Sequence, residues 1–212
     1  MLTLYHCAGA RSMRSLWLLH EMDLPFELKE LSFSMAALRT PEYLSISPLG
    51  RVPCLVDGDV KVFESGAITQ YLCETYPASG LGRGPGDPER IDWLKWLHYA
   101  ETMAVHGASL VQQKVFIARE ERSPAVQNLE SRRLAKAIEV VDRHLAATGR
   151  DYLLETGFSA IDTNVGYSIH LGQGFIPLDP WPHAVAYYGR LKARPAFQLA
   201  ARPVPVDSQA SR

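Results

Sequence analysis

Apolar positions alternate with polar ones at both ends of the first forty residues, with a helical repeat between them. Leu2-Thr3-Leu4-Tyr5 alternates and reads as a strand. Over residues 12–22, Leu16, Leu19 and Met22 share a face that Trp17 and Leu18 broaden, so the spacing predicts a helix, which Pro25 ends. Phe26-Glu27-Leu28-Lys29-Glu30-Leu31 alternates again, and two strands joined by a helix form a βαβ unit with parallel strands. Residues 41–46 read as a short helix or an irregular turn. Cys54-Leu55-Val56, then Asp57-Gly58, then Val60-Lys61-Val62 is a hairpin signal. Glu64 and Ser65 open a helix over 64–75 that carries Ile68, Tyr71 and Leu72 at helical spacing.

After this the pattern changes. Residues 77–88 hold four glycines and three prolines, the composition of a linker. Beyond it only helical periods recur: 88–119, with Ile91, Leu94, Trp96, Leu97 and Leu110 on the apolar side; 125–147, with Leu129, Leu134, Ile138, Val141 and Leu145; then 160–171 and 182–193. Ser159 with Asp162 three residues on is a capping-box pattern, Asp replacing the usual Glu. Its expected role is structural. The chain therefore divides into an α/β domain at 1–76, a linker at 77–87, an all-helical domain at 88–202 and a flexible tail at 203–212. The order βαβ-α-ββα of the first part is that of a thioredoxin-like domain.

Composition narrows the function classes. The chain has 212 residues, 47% apolar and 21% charged, with 22 Lys plus Arg against 23 Asp plus Glu. That balance gives no basic surface for nucleic acid or an anionic membrane. No apolar run approaches the roughly 18 residues of a membrane span. Met1-Leu2-Thr3-Leu4-Tyr5-His6 lacks the basic and apolar regions of a signal peptide. Cys7, Cys54 and Cys73 are odd in number and form no C-x-x-C pair, which fits a reduced cytoplasmic protein better than a disulfide scaffold or a dithiol enzyme. No His/Cys cluster has metal spacing, so no metal is expected.

The chemistry concentrates between the hairpin and the helix after it. The start of the 64–75 helix exposes unpaired N–H groups and a partial positive charge, which suits a carboxylate, and Glu64 beside it can hold an ammonium group. Together they suit an amino-acid zwitterion. Val52-Pro53, just before a buried strand, is a cis-proline pattern that leaves Val52 N–H and C=O free for an extended peptide. A peptide with a zwitterionic head is what glutathione is.

Val52-Pro53 followed at this distance by Glu64-Ser65 resembles the glutathione site of the cytosolic glutathione S-transferase family, and the resemblance extends over about residues 2–200. It implies a dimeric detoxification enzyme that transfers the glutathione thiol to a small apolar electrophile or reduces organic peroxides. A glutathione-dependent isomerase, dehalogenase or ether lyase shares the same site, and a non-catalytic module that only contacts proteins would keep the fold. The resemblance implies glutathione contacts from Arg51, Val52, Pro53, Glu64 and Ser65, and from Glu101 across a homodimer. It puts a second-substrate pocket near Tyr99, Met103, His106 and Phe116.

A transferase of this kind must ionise the glutathione thiol. With a cysteine-like pKa of about 8.5, only ~3% is thiolate at pH 7, and lowering that value by two raises the fraction to roughly three quarters. In the family the activating donor follows the first strand, here Tyr5-His6-Cys7-Ala8-Gly9-Ala10-Arg11-Ser12. This chain departs from the pattern. Serine-type members carry their serine where Gly9 and Ala10 stand, and cysteine-type members carry theirs about where Arg11 stands. Ser12, Arg11, Cys7 and Tyr5 remain, with Ser12 expected to donate to the sulfur and Arg11 to add charge. Each also has a plain structural role open to it: a helix cap, a solvated helix residue, a small buried thiol, a packed strand end.

Overall fold

The structure is a computed structural model, and it describes residues 1–202; the expected tail at 203–212 lies outside the described residues. The described chain forms two compact units, residues 1–82 with the segment from Lys192 onward, and Arg83–Leu191.

The first unit begins β1 (Leu2–His6), α1 (Met13–Glu21), β2 (Phe26–Glu30). Two short helices follow, α2 (Met35–Leu38) and α3 (Pro41–Leu44), where the sequence pattern gave only one. The hairpin β3 (Cys54–Asp57) and β4 (Val60–Phe63) then leads into α4 (Ser65–Thr75). The sheet order is β2-β1-β3-β4, with β1 parallel to β2 and antiparallel to β3. Leu4 and Leu55 face each other across β1 and β3 and are fully buried. Helix α1 is buried from Met13 through Leu19, polar positions included.

The last helix among the described residues, α9 (Pro195–Ala200), belongs to this unit and had no sequence signal. It packs on α1: Phe197 stands edge-on to Trp17 at 4.9 Å between ring centroids. Arg194 grips Glu21 with Nε at 2.6 Å and Nη2 at 2.7 Å, and Trp17 Nε1 donates to the same carboxylate at 2.7 Å. A bidentate guanidinium–carboxylate pair of this kind fixes geometry as well as charge.

The second unit is helical: α5 (Arg90–Val111), α6 (Pro124–Thr148), α7 (Ala160–Gly172) and α8 (Pro182–Lys192). The inner stripe of α5 is Trp93, Trp96, Leu97, Ala100, Met103, Ala104, Gly107 and Leu110. Ile91, expected on this side, is 74% exposed, because two residues before Trp93 places it around the helix from the stripe. Leu129 is exposed for the same reason, five residues before the buried Leu134 of α6. Helix α5 stops short of the expected 119: a π-turn at Gln112–Phe116 and a 3-10 turn at Arg119–Glu121 follow it. Of the capping box expected at Ser159, the Asp162 half forms, while the buried Ser159 hydroxyl makes no bond of its own and Asp162 N–H donates to the Ser159 carbonyl at 3.0 Å. Asp162 is fully buried and accepts Ser159 N–H at 2.8 Å, Leu153 N–H at 3.3 Å and Tyr187 O–H at 2.8 Å.

Candidate functional site

Sheet register gathers the sequence candidates of the first unit at one end. Tyr5 of β1 pairs with Cys54 of β3, and Cys54 with Phe63 of β4. The exit of β1 at His6-Cys7, the Val52-Pro53 entry to β3 and the Glu64-Ser65 exit of β4 therefore share that end of the sheet. The Val52–Pro53 bond is cis, as the pattern implied.

Ser65 opens α4 and is 2% exposed. Its Oγ accepts a hydrogen bond from Arg14 Nη1 at 3.1 Å. A guanidinium can only donate, so the hydroxyl proton of Ser65 is directed elsewhere. Arg14 is itself fully buried. A permanent cation thus lies behind a helix start that already carries partial positive charge, and the two fields add on the same hydroxyl. Both favour a carboxylate at Ser65.

Glu64, the residue before, sits at φ 72°, ψ 118° and is exposed. A non-glycine residue at positive φ costs on the order of 1–3 kcal/mol and clusters at ligand clamps. Here the turn from β4 into α4 holds an acidic side chain beside the helix start.

The β1–α1 connection differs from expectation. Ser12 was expected to turn its hydroxyl to a ligand sulfur. Instead it is fully buried, and its Oγ lies 2.8 Å from His6 Nδ1, accepts Cys7 N–H at 3.1 Å and lies 3.3 Å from Cys7 O. The hydroxyl ties the start of α1 back to the end of β1. His6, which sequence reasoning passed over, is held below the ordinary imidazole value by burial, against the opposing pull of Glu30, and stays neutral. Cys7 is also fully buried, and burial, with Glu30, pushes its thiol up to about 12. It is a packed thiol, set among Leu38, Tyr43, Tyr5 and Val52. Tyr5 is half-buried against the Tyr43 ring at 5.5 Å. Arg11 is half-buried in the turn before α1, and Arg51 is exposed before the cis-proline.

On α5, Met103 is fully buried in the core of the helical unit, which removes it as a pocket wall. Tyr99 donates to Ala137 O at 3.0 Å, and His106 Nδ1 lies 2.7 Å from Glu130 Oε2. The π-turn leaves Phe116 59% exposed, and Glu101 is half-buried. Among the described residues no group of His, Cys, Asp or Glu could hold a metal ion, and no helix is long and apolar enough to cross a membrane.

A thioredoxin-like sheet unit carrying a cis-proline loop beside a charged helix start, followed in sequence by an all-helical unit, defines a class of thiol-peptide-binding proteins. Residues 1–74 match the family described as glutathione S-transferase, N-terminal domain. The chain is 31% identical over 203 residues to glutathione S-transferase 3 of Zea mays, covering 91% of this chain and 90% of that one. Among solved structures it is similar to the bacterial glutathione transferase BphK, solved as a ternary complex, with TM-score 0.82, 29% identity and 94% and 98% of the two chains covered. It is also similar to a glutathione transferase homologue from Sulfitobacter with bound glutathione, with TM-score 0.80, 25% identity and 94% and 96% covered. The chain belongs to the glutathione S-transferase family.

Proposed function

We propose that this protein is a glutathione transferase that binds glutathione at the β3–α4 end of its sheet and adds the thiol to a small apolar electrophile. One observation carries the reading: the buried Arg14 guanidinium on Ser65 Oγ beneath the start of α4, with exposed Glu64 beside it. The γ-glutamyl carboxylate takes the Ser65 site and its ammonium takes Glu64. Val52 pairs with the peptide backbone beside Pro53, and Arg51 reaches the glycine carboxylate. Arg11 and the start of α1 supply the positive charge that ionises the sulfur. Tyr99, His106 and Phe116 are the second-substrate contacts on the helical unit.

A homodimer completes the site in this reading, with Glu101 of the partner subunit near the ammonium. Exposed Val60 and Phe63 on β4 and Ile91 on α5 are apolar surface that suits an interface. An apolar electrophile as substrate suits a detoxification role, and in this reading the enzyme works in the cytoplasm. Peroxide reduction, isomerase, dehalogenase and ether lyase chemistry use the same bound thiolate and differ only in the second substrate. A non-catalytic role draws support from Gly9 and Ala10, which carry no donor, and from the inward Ser12 hydroxyl.

Glu64→Ala should weaken glutathione by roughly ten- to a hundredfold, since hydrogen bonds to charged groups contribute ~1.5–3 kcal/mol. The fold should be retained. Calorimetry showing unchanged affinity would put the site elsewhere. Glutathione bound normally, with no turnover across a broad screen of electrophiles and peroxides, would favour the non-catalytic role.

A further inference from the structure

The loop entering β3 is fastened by two buried hydroxyls, from α3 and from the turn after it. Tyr43 of α3, 3% exposed, donates its hydroxyl to the Arg51 carbonyl at 2.6 Å. Ser47, 2% exposed, donates to the same oxygen at 2.8 Å and accepts Arg51 N–H at 3.1 Å. A carbonyl offers two lone pairs, so this one is saturated by two buried hydroxyls. The hydroxyls are themselves fixed. Thr40 Oγ1 caps α3 by accepting Tyr43 N–H at 3.2 Å, and Ser47 N–H donates to Tyr43 O at 2.8 Å. Gly50, at φ 59°, lies so close that an added Cβ would stand 2.4 Å from Leu38 O. Burial raises the Tyr43 phenol, so it remains a donor across the physiological range.

The direction of this carbonyl has a consequence one atom further on. The cis bond follows Val52, and the Arg51–Val52 unit is trans. In a planar trans peptide the C=O and the next N–H point opposite ways. Holding Arg51 C=O toward Tyr43 and Ser47 therefore turns Val52 N–H away from them. Among the described residues Val52 N–H has no acceptor. We propose that Tyr43 and Ser47 are positioning residues that aim Val52 N–H at the cysteinyl carbonyl of glutathione, without touching the ligand. This rests on the glutathione reading above. The cysteinyl residue is the one part of glutathione flanked by two amides, so it alone can exchange strand-like hydrogen bonds with Val52.

The test compares two ligands by calorimetry: glutathione, and γ-glutamylcysteamine, which keeps the zwitterion and thiol but lacks the cysteinyl carbonyl. Tyr43→Phe and Ser47→Ala should each weaken glutathione about fivefold, and the double variant more. Binding of γ-glutamylcysteamine should not change in any of them. In turnover, KM for glutathione should rise while kcat at saturation holds. Glu64→Ala should weaken both ligands together. Variants that bind glutathione like wild type, or lose both ligands equally, would overturn the proposal, the second outcome meaning general loosening. Should Tyr43→Phe unfold, Ser47→Ala alone gives the same contrast, since it leaves the ring in place. Wild type that binds neither ligand would bring down the glutathione reading, and the proposal with it.

Discussion

Ser12 and Arg11 are neighbours with opposite assignments. The Ser12 hydroxyl is fully buried between His6 and Cys7, so Ser12→Ala leaves the Cys7 N–H without its side-chain acceptor. That should destabilise by about 1–3 kcal/mol, read as a lower urea midpoint, with the pKa of bound glutathione unmoved. Arg11→Ala should do the reverse, losing thiolate absorbance at pH 7 with little change in stability. A thiolate lost in Ser12→Ala and kept in Arg11→Ala would restore the serine. His6 gives a pH dependence of definite sign. Its native value lies below the ordinary 6.5 through burial, with Glu30 opposing, so the native state favours the neutral ring. That stabilisation is fully present above pH 6.5 and is lost as pH falls from there toward the native value. The urea midpoint should fall more between pH 8 and pH 5 in wild type than in His6→Gln; equal slopes would refute it. The place of Glu64 and Ser65 at a helix start was legible because helix starts and hairpins have local signals. The direction of a serine hydroxyl has none: Ser12 reads alike as donor and as tie until its partners are known. Arg14 did leave a trace, lying three and four residues before Trp17 and Leu18 on the apolar face of α1.

Helix α7 is anchored through a single side chain. Asp162 takes three buried donors from Ser159, Leu153 and Tyr187, which lie on the cap, the preceding loop and α8. Asp162→Ala strands all three away from water and should cost about 3 kcal/mol or more. Thermal melts checking this should show the loss in Asp162→Ala and much less in Lys136→Ala, whose exposed pair with Glu139 contributes little. Strands, hairpin, the Asp162 cap and six helices, α1 and α4 to α8, were legible because period and turn chemistry are local. Helix α9 was not, because six residues give too short a window for periodicity and its partner Trp17 is far away in sequence. The end of α5 was misread because the apolar pattern runs on through Val115 and Phe116 while the backbone passes into a π-turn.

For the whole molecule, the proposed dimer should sediment at about twice 23.6 kDa at micromolar concentration. A charge placed on the exposed Ile91, as Ile91→Glu, should shift it toward monomer if that face is covered, and an unchanged mass would move the interface elsewhere. The order of the chain also bears on how it is made. The first unit includes α9, whose Phe197 and Arg194 hold Trp17 and Glu21 of α1. A ribosome synthesising at ~5–20 residues per second delivers residue 200 roughly 6–24 s after residue 82. Throughout that interval the nascent first unit has Trp17 without its final cover and Glu21 without its guanidinium. The first unit is not complete until α9 is made, and a chain cut short before α9 would leave this unit, not the helical one, exposed to proteases.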